Sequence, residues 1–74
     1  MSLHHSAETH QSLLARIPDV TGRCLPDWFA CLENGPGLVR FDERVNWLRA
    51  EHELPHGYAV AIVYEHDRRR AFRN

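Results

Sequence analysis

Trp47-Leu-Arg-Ala-Glu-His-Glu-Leu-Pro-His-Gly-Tyr-Ala59 is the stretch of this 74-residue chain on which the fold turns. Pro55 pushes the residue before it out of the α region, so a helix arriving through Trp47 and Leu48 ends near His52 or Glu53. A proline also suits the first turn of a helix, where its missing N–H costs nothing. The stretch reads as helix, break, helix.

The pattern extends in both directions from this break. Upstream, the third helix is predicted to start between Val39 and Asp42. It buries Phe41, Val45, Leu48 and His52, with Trp47 beside that stripe, and turns Asp42, Glu43, Arg44, Asn46 and Arg49 to water. Downstream, Tyr58, Ala59, Ile62, Val63 and His66 repeat a helical spacing. A strand over residues 58–64 competes, because Val60, Ile62 and Val63 favour β structure. A lone strand has nothing to pair with, and the helix is preferred. Glu65 and Arg69 then form an i, i+4 pair, and Arg68 to Arg70 complement the helix C-terminus.

The second helix opens at Pro26 and Asp27, presents Leu25, Trp28, Phe29 and Leu32 on one face, and stops at Asn34-Gly35-Pro36-Gly37. The first carries Leu13, Leu14 and Ile17 and is expected to end or kink at Pro18, whose ring clashes with the preceding turn. Thr21-Gly22 marks a turn. Residues 1–8 read as a flexible leader and 9–74 as a single helical domain. The expected class is all-α, a compact bundle of about four short helices.

Composition limits the functions open to it. A chain this short buries only about 60% of its unfolded surface, so a large site would lie between copies or against a partner. No apolar run approaches the roughly 20 residues of a membrane span. The start, Met1 to His10, lacks the basic and apolar segments of a signal peptide, which predicts a cytoplasmic protein without membrane association. Cys24 and Cys31 lie about two helical turns apart, beyond disulfide reach, and read as thiols. All nine basic residues are arginine, yet the net charge is −1. That balance argues against a strong nucleic-acid binder.

Thr21-Gly22, then Trp28, then Val45-x-Trp47-Leu48-x-x-Glu51-His52-x-Leu54-x-His56-Gly57-Tyr58-Ala59-x-x-Ile62-Val63 resembles a small bacterial domain family of unknown function. Its members typically read T-G-K-[ST]-x-x-E-W and later W-L-K-x-E-H-G-L-G-H-G-Y-A. The resemblance covers roughly residues 12 to 66 and implies a short helical domain; it carries no activity with it. This chain departs from the pattern at three informative places. Cys24 replaces a Ser or Thr N-cap, and a thiol caps poorly. Glu53 and Pro55 replace two glycines, so a left-handed helix end would fall on Glu53 at about 1–2 kcal/mol.

Several side chains are candidates for function. His52 and His56, with His66 and Glu51, suggest a His-carboxylate metal site. Set against it, His52 reads as partly buried and His56 as shaping the turn, so no cofactor is expected. Cys24 or Cys31 with a histidine base would be a nucleophile, but no orienting group or oxyanion loop accompanies them, and no catalytic residue is assigned. Gly57 is expected to let α-helical backbones pack closely. Trp28 reads as core, and Trp47 as the better candidate for an exposed patch. Arg68, Arg69 and Arg70, with Arg73, are candidate phosphate contacts. The third and fourth helices also resemble a helix-turn-helix, although the fourth is too apolar for a major groove. The preferred function is a non-catalytic protein-interaction module presenting Trp47, Glu51, His52, His56, Gly57 and Tyr58 to a protein partner or a second copy. A nucleic-acid-associated domain and a His-based metal-binding domain are the alternatives.

Overall fold

The computed structural model describes residues 7–73, with side chains over 9–71. The leader expected over residues 1–8 falls mostly outside this range. Four helices follow in order: α1 Ala7–Thr21, α2 Leu25–Glu33, α3 Phe41–His52 and α4 His56–Arg73. The described residues contain no strand, so residues 58–64 are helical as preferred.

One core joins all four. Ile17 of α1, Trp28 of α2, Val45 and Leu48 of α3, and Ala59, Ile62 and Val63 of α4 are buried together, with Leu54 closing the break. Burying an aliphatic or aromatic side chain of this kind contributes about 1.5–3 kcal/mol. The fourth helix is central: Ala61, Glu65 and His66 are buried as well, and α1, α2 and α3 each pack on it. Its apolar run is wider than a single stripe because it has neighbours on several sides. No helix among the described residues is long and apolar enough to cross a membrane.

Pro18 does not end α1 at Ile17, as one of the two sequence expectations had it. The helix continues to Thr21. Only one turn remains beyond Pro18, and that turn is tied at its end. The Thr21 hydroxyl donates to the Ile17 carbonyl at 2.7 Å, and the Gly22 N–H donates to the Pro18 carbonyl at 2.9 Å. Gly22 has φ +77°, the left-handed conformation that closes helix ends.

The remaining helix ends follow their sequence signals, save that Pro55 lies one position earlier than expected. Cys24 is the N-cap of α2 and forms no side-chain capping bond. Glu53 ends α3 in the left-handed region, φ 55° and ψ 34°, the strained position its departure from glycine implied. Pro55 sits just before α4, its carbonyl accepting the Ala59 N–H at 3.0 Å. It therefore precedes the first turn instead of occupying it.

Several placements differ from the sequence reading. Phe41, expected on the buried stripe of α3, opens that helix 39% exposed, because the first turn extends past the neighbouring helices. Arg44, assigned to the wet side of α3, has a side chain only 13% exposed. Its guanidinium donates twice to Asp67 of α4, at 2.6 and 2.9 Å, a bidentate pair that pins α3 to α4. Gly57 does not serve a close helix approach: a Cβ built there meets no atom of a neighbouring element within 4 Å. The close approach falls at Gly35, where a Cβ would lie 3.0 Å from the Trp47 ring and 3.2 Å from the Cys31 carbonyl oxygen. The Trp47 indole covers the end of α2, and any side chain at Gly35 would force that ring to give by a few tenths of an ångström.

Candidate functional site

Three polar clusters stand out, each built across helices. The first is centred on His52 in the last turn of α3. Its imidazole meets the edge-on rings of Trp28, at 5.2 Å and 83°, and of Trp47, at 5.4 Å and 79°. His52 Nε2 lies 3.2 Å from the Cys31 sulfur. Trp28 in turn donates its indole N–H to the Thr21 hydroxyl at 3.0 Å, which satisfies a donor that would otherwise be lost on burial. The Arg23 guanidinium stands 5.0 Å from the Trp28 ring. A cavity of about 250 Å³ opens beside them, lined by Thr21, Arg23, Trp28, His52 and Glu53 among others. Thr21, Trp28, Trp47 and His52 belong to the motifs that carry the family resemblance, and in this chain they form one unit.

The second cluster surrounds Glu65, whose side chain is 1% exposed. His10 of α1 contacts Oε1 at 2.9 Å. An ionised carboxylate only accepts, so His10 Nε2 carries the proton. Arg68 donates to both oxygens, at 3.1 and 2.9 Å, and Arg69 to Oε2 at 2.7 Å. The Arg68 hydrogen bonds, opposed by burial and helped by those from His10 and Arg69, hold the Glu65 carboxyl at about 2.

The third cluster lines a groove of about 500 Å³ between the α2–α3 connector and α4. Leu32, Leu38 and Val39 form its apolar wall, and Glu33, Arg44, His66 and Arg70 its polar side. His66 Nε2 is 3.2 Å from a Glu33 oxygen. Its Nδ1 is buried without a hydrogen-bond partner. The Phe29 ring lies 5.3 Å from the imidazole.

The structure distributes the sequence candidates among these clusters. Of the three histidines, His52 belongs with Cys31 and His66 with Glu33, while His56 is exposed at the first residue of α4. Among the described residues, no three His, Cys, Asp or Glu side chains are grouped to hold a metal ion. Trp47 and Tyr58 are half-buried and packed against the core, so Trp47 is not the open patch expected of it. Glu51 and Gly57 are exposed. Arg68 and Arg69, read as phosphate contacts, are committed to Glu65, and Arg70 lines the groove. Both cysteines are free thiols; Cys24 is exposed and Cys31 half-buried.

Sequence reasoning missed His10 and the groove. The signal for His10 was available: it stands one turn before Leu14 and two before Ile17, on the same face of α1. The exposed Val39 could not have been anticipated, since connectors carry no periodicity that distinguishes inside from outside.

The geometry defines a four-helix domain with a shared core, two tryptophans clasping a histidine and a groove beside the second connector. The chain matches the family model described as a domain of unknown function, DUF4287, over residues 9–68, and it belongs to that family. No curated protein and no solved structure matches it.

Proposed function

We propose that this domain is a non-catalytic protein-interaction module, and that its docking surface is the groove beside the α2–α3 connector. One observation carries the reading: Val39 is 84% exposed at the wall of that groove. A valine on the outside of a small domain is unremarkable alone. Here it adjoins Leu38 and Leu32 in the groove, with Phe41, 39% exposed, two residues on. Apolar surface gathered in a concave site and edged by charge suits the burial of an apolar side chain from a partner.

This surface lies away from the segment Trp47 to Tyr58 that the sequence pattern favours. Trp47 and Tyr58 spend much of their area on the core, which leaves less for a partner. The nucleic-acid reading draws little support, because buried Glu65 engages two of its three arginines. The metal reading draws little as well, because His52 and His66 belong to different clusters.

The test is capture with the tagged domain as bait, beside Val39→Glu. Val39 faces water, so its replacement leaves the fold intact, which circular dichroism verifies. The expected result is a partner, or a second copy of the domain, captured by the native bait and lost with V39E. Identical capture by both baits, or none by either, overturns the proposal.

A further inference from the structure

We infer that Cys31 is a reactive thiol, activated by His52 and open to oxidation by hydrogen peroxide. The inference rests on the Cys31–His52 pair and is independent of the groove.

The 3.2 Å separation of Cys31 Sγ and His52 Nε2 is hydrogen-bond distance for sulfur. The imidazole nitrogen can take the thiol proton, leaving a thiolate beside an imidazolium. Two helix ends bear on this transfer. His52 lies in the last turn of α3, where the negative end of the helix favours an imidazolium. Cys31 lies in the last turn of α2, where the same effect opposes a thiolate. These partial charges offset one another, so neither helix end opposes the pairing that the 3.2 Å contact allows. The two tryptophans hold the ring in place: Trp28 and Trp47 meet it on nearly perpendicular planes, 83° and 79°. Cys31 is half-buried at the edge of the core.

The reaction balances with peroxide as the oxidant. The Cys31 sulfur attacks one peroxide oxygen, the O–O bond breaks, and hydroxide leaves. Hydroxide takes the proton from the imidazolium and departs as water, regenerating neutral His52. The sulfur loses two electrons to become a sulfenic acid, and the peroxide is reduced.

Cys24, at the N-cap of α2 where a helix end itself favours a thiolate, is the demanding comparison. Cys31 in the unfolded chain is the unassisted reference. Cys24 is exposed and its side chain makes no capping bond. Iodoacetamide labelling of the intact chain at neutral pH, followed by cleavage before Asp27, places the two cysteines on separate peptides for mass spectrometry. An unassisted thiol is only a few per cent thiolate at pH 7. Cys31 is therefore expected to label about tenfold faster in the folded chain than in the unfolded one, and faster than Cys24 despite its lower exposure. After peroxide, dimedone should mark Cys31 first. In 8 M urea, a strongly denaturing condition at about that concentration, the two rates should converge. The His52→Gln variant, if folded, should slow Cys31 without changing Cys24. Equal or slower labelling of Cys31 in the native chain, against Cys24 or against its own rate in urea, overturns the inference, whether or not H52Q folds. So does a rate advantage that persists in urea, or a folded H52Q that labels as fast as the native protein.

Discussion

Replace Glu65 with glutamine, and a buried carboxylate loses the charge around which His10, Arg68 and Arg69 are arranged. The Glu65 carboxyl falls from 4.5 to about 2 in the folded protein. At about 1.36 kcal/mol per unit, that displacement corresponds to roughly 3 kcal/mol of stability at neutral pH. Arg68 and Arg69 are 46% and 53% exposed, so water screens part of the attraction and this figure is a ceiling. The sign is fixed by the direction. A depressed carboxyl stabilises the fold fully above 4.5, and the contribution fades as pH falls from there toward 2. Urea denaturation of both proteins across that range is the assay. The native chain should exceed E65Q by about 2–3 kcal/mol at pH 7, with the gap narrowing steadily in acid. A gap that does not change with pH would refute the reasoning, because the loss would then come from packing and not from charge. So would equal stability at pH 7.

Four further outcomes follow from local geometry. Gly35→Ala should destabilise by about 1–3 kcal/mol, since its Cβ would press on the Trp47 ring and the Cys31 carbonyl oxygen; Gly57→Ala, in open space within α4, should stabilise by about 0.4–1 kcal/mol in the same thermal melts. Glu53→Gly relieves a left-handed residue costing about 1–2 kcal/mol but loosens the unfolded chain, for a net gain of about 0.5–1 kcal/mol read as a raised Tm. Thr21→Val keeps the shape but leaves the Trp28 indole N–H without its acceptor, and chemical denaturation should show a loss of about 1–3 kcal/mol.

The helices were legible because their signals are local. Proline before α4, the Asn34-Gly35-Pro36-Gly37 run and the spacing of Val45 and Leu48 each act within a few residues. Glu53 could even be assigned its left-handed backbone from the glycine it replaces. Polar pairings were legible only where they share a helix, as Glu65 and Arg69 do. The links from His10 to Glu65, Arg44 to Asp67 and Cys31 to His52 span 55, 23 and 21 residues. No periodicity reports on them, because they depend on how helices are placed and not on how each is formed. The same limit explains Gly57 and Gly35. Both sit at helix boundaries, and only the position of the Trp47 ring distinguishes the glycine that needs its missing side chain.

The His10–Glu65 link also orders events in time. Joining α1 to α4 closes a loop of most of the chain, whereas α3 and α4 meet across a three-residue break. Closing the longer loop carries the greater entropic cost, so the α3–α4 hairpin assembles early and α1 docks late. On the ribosome, the first of the four helices to emerge must wait for the last before its buried histidine finds a partner. Substitutions at His10 should accordingly hasten unfolding while leaving the refolding rate almost unchanged.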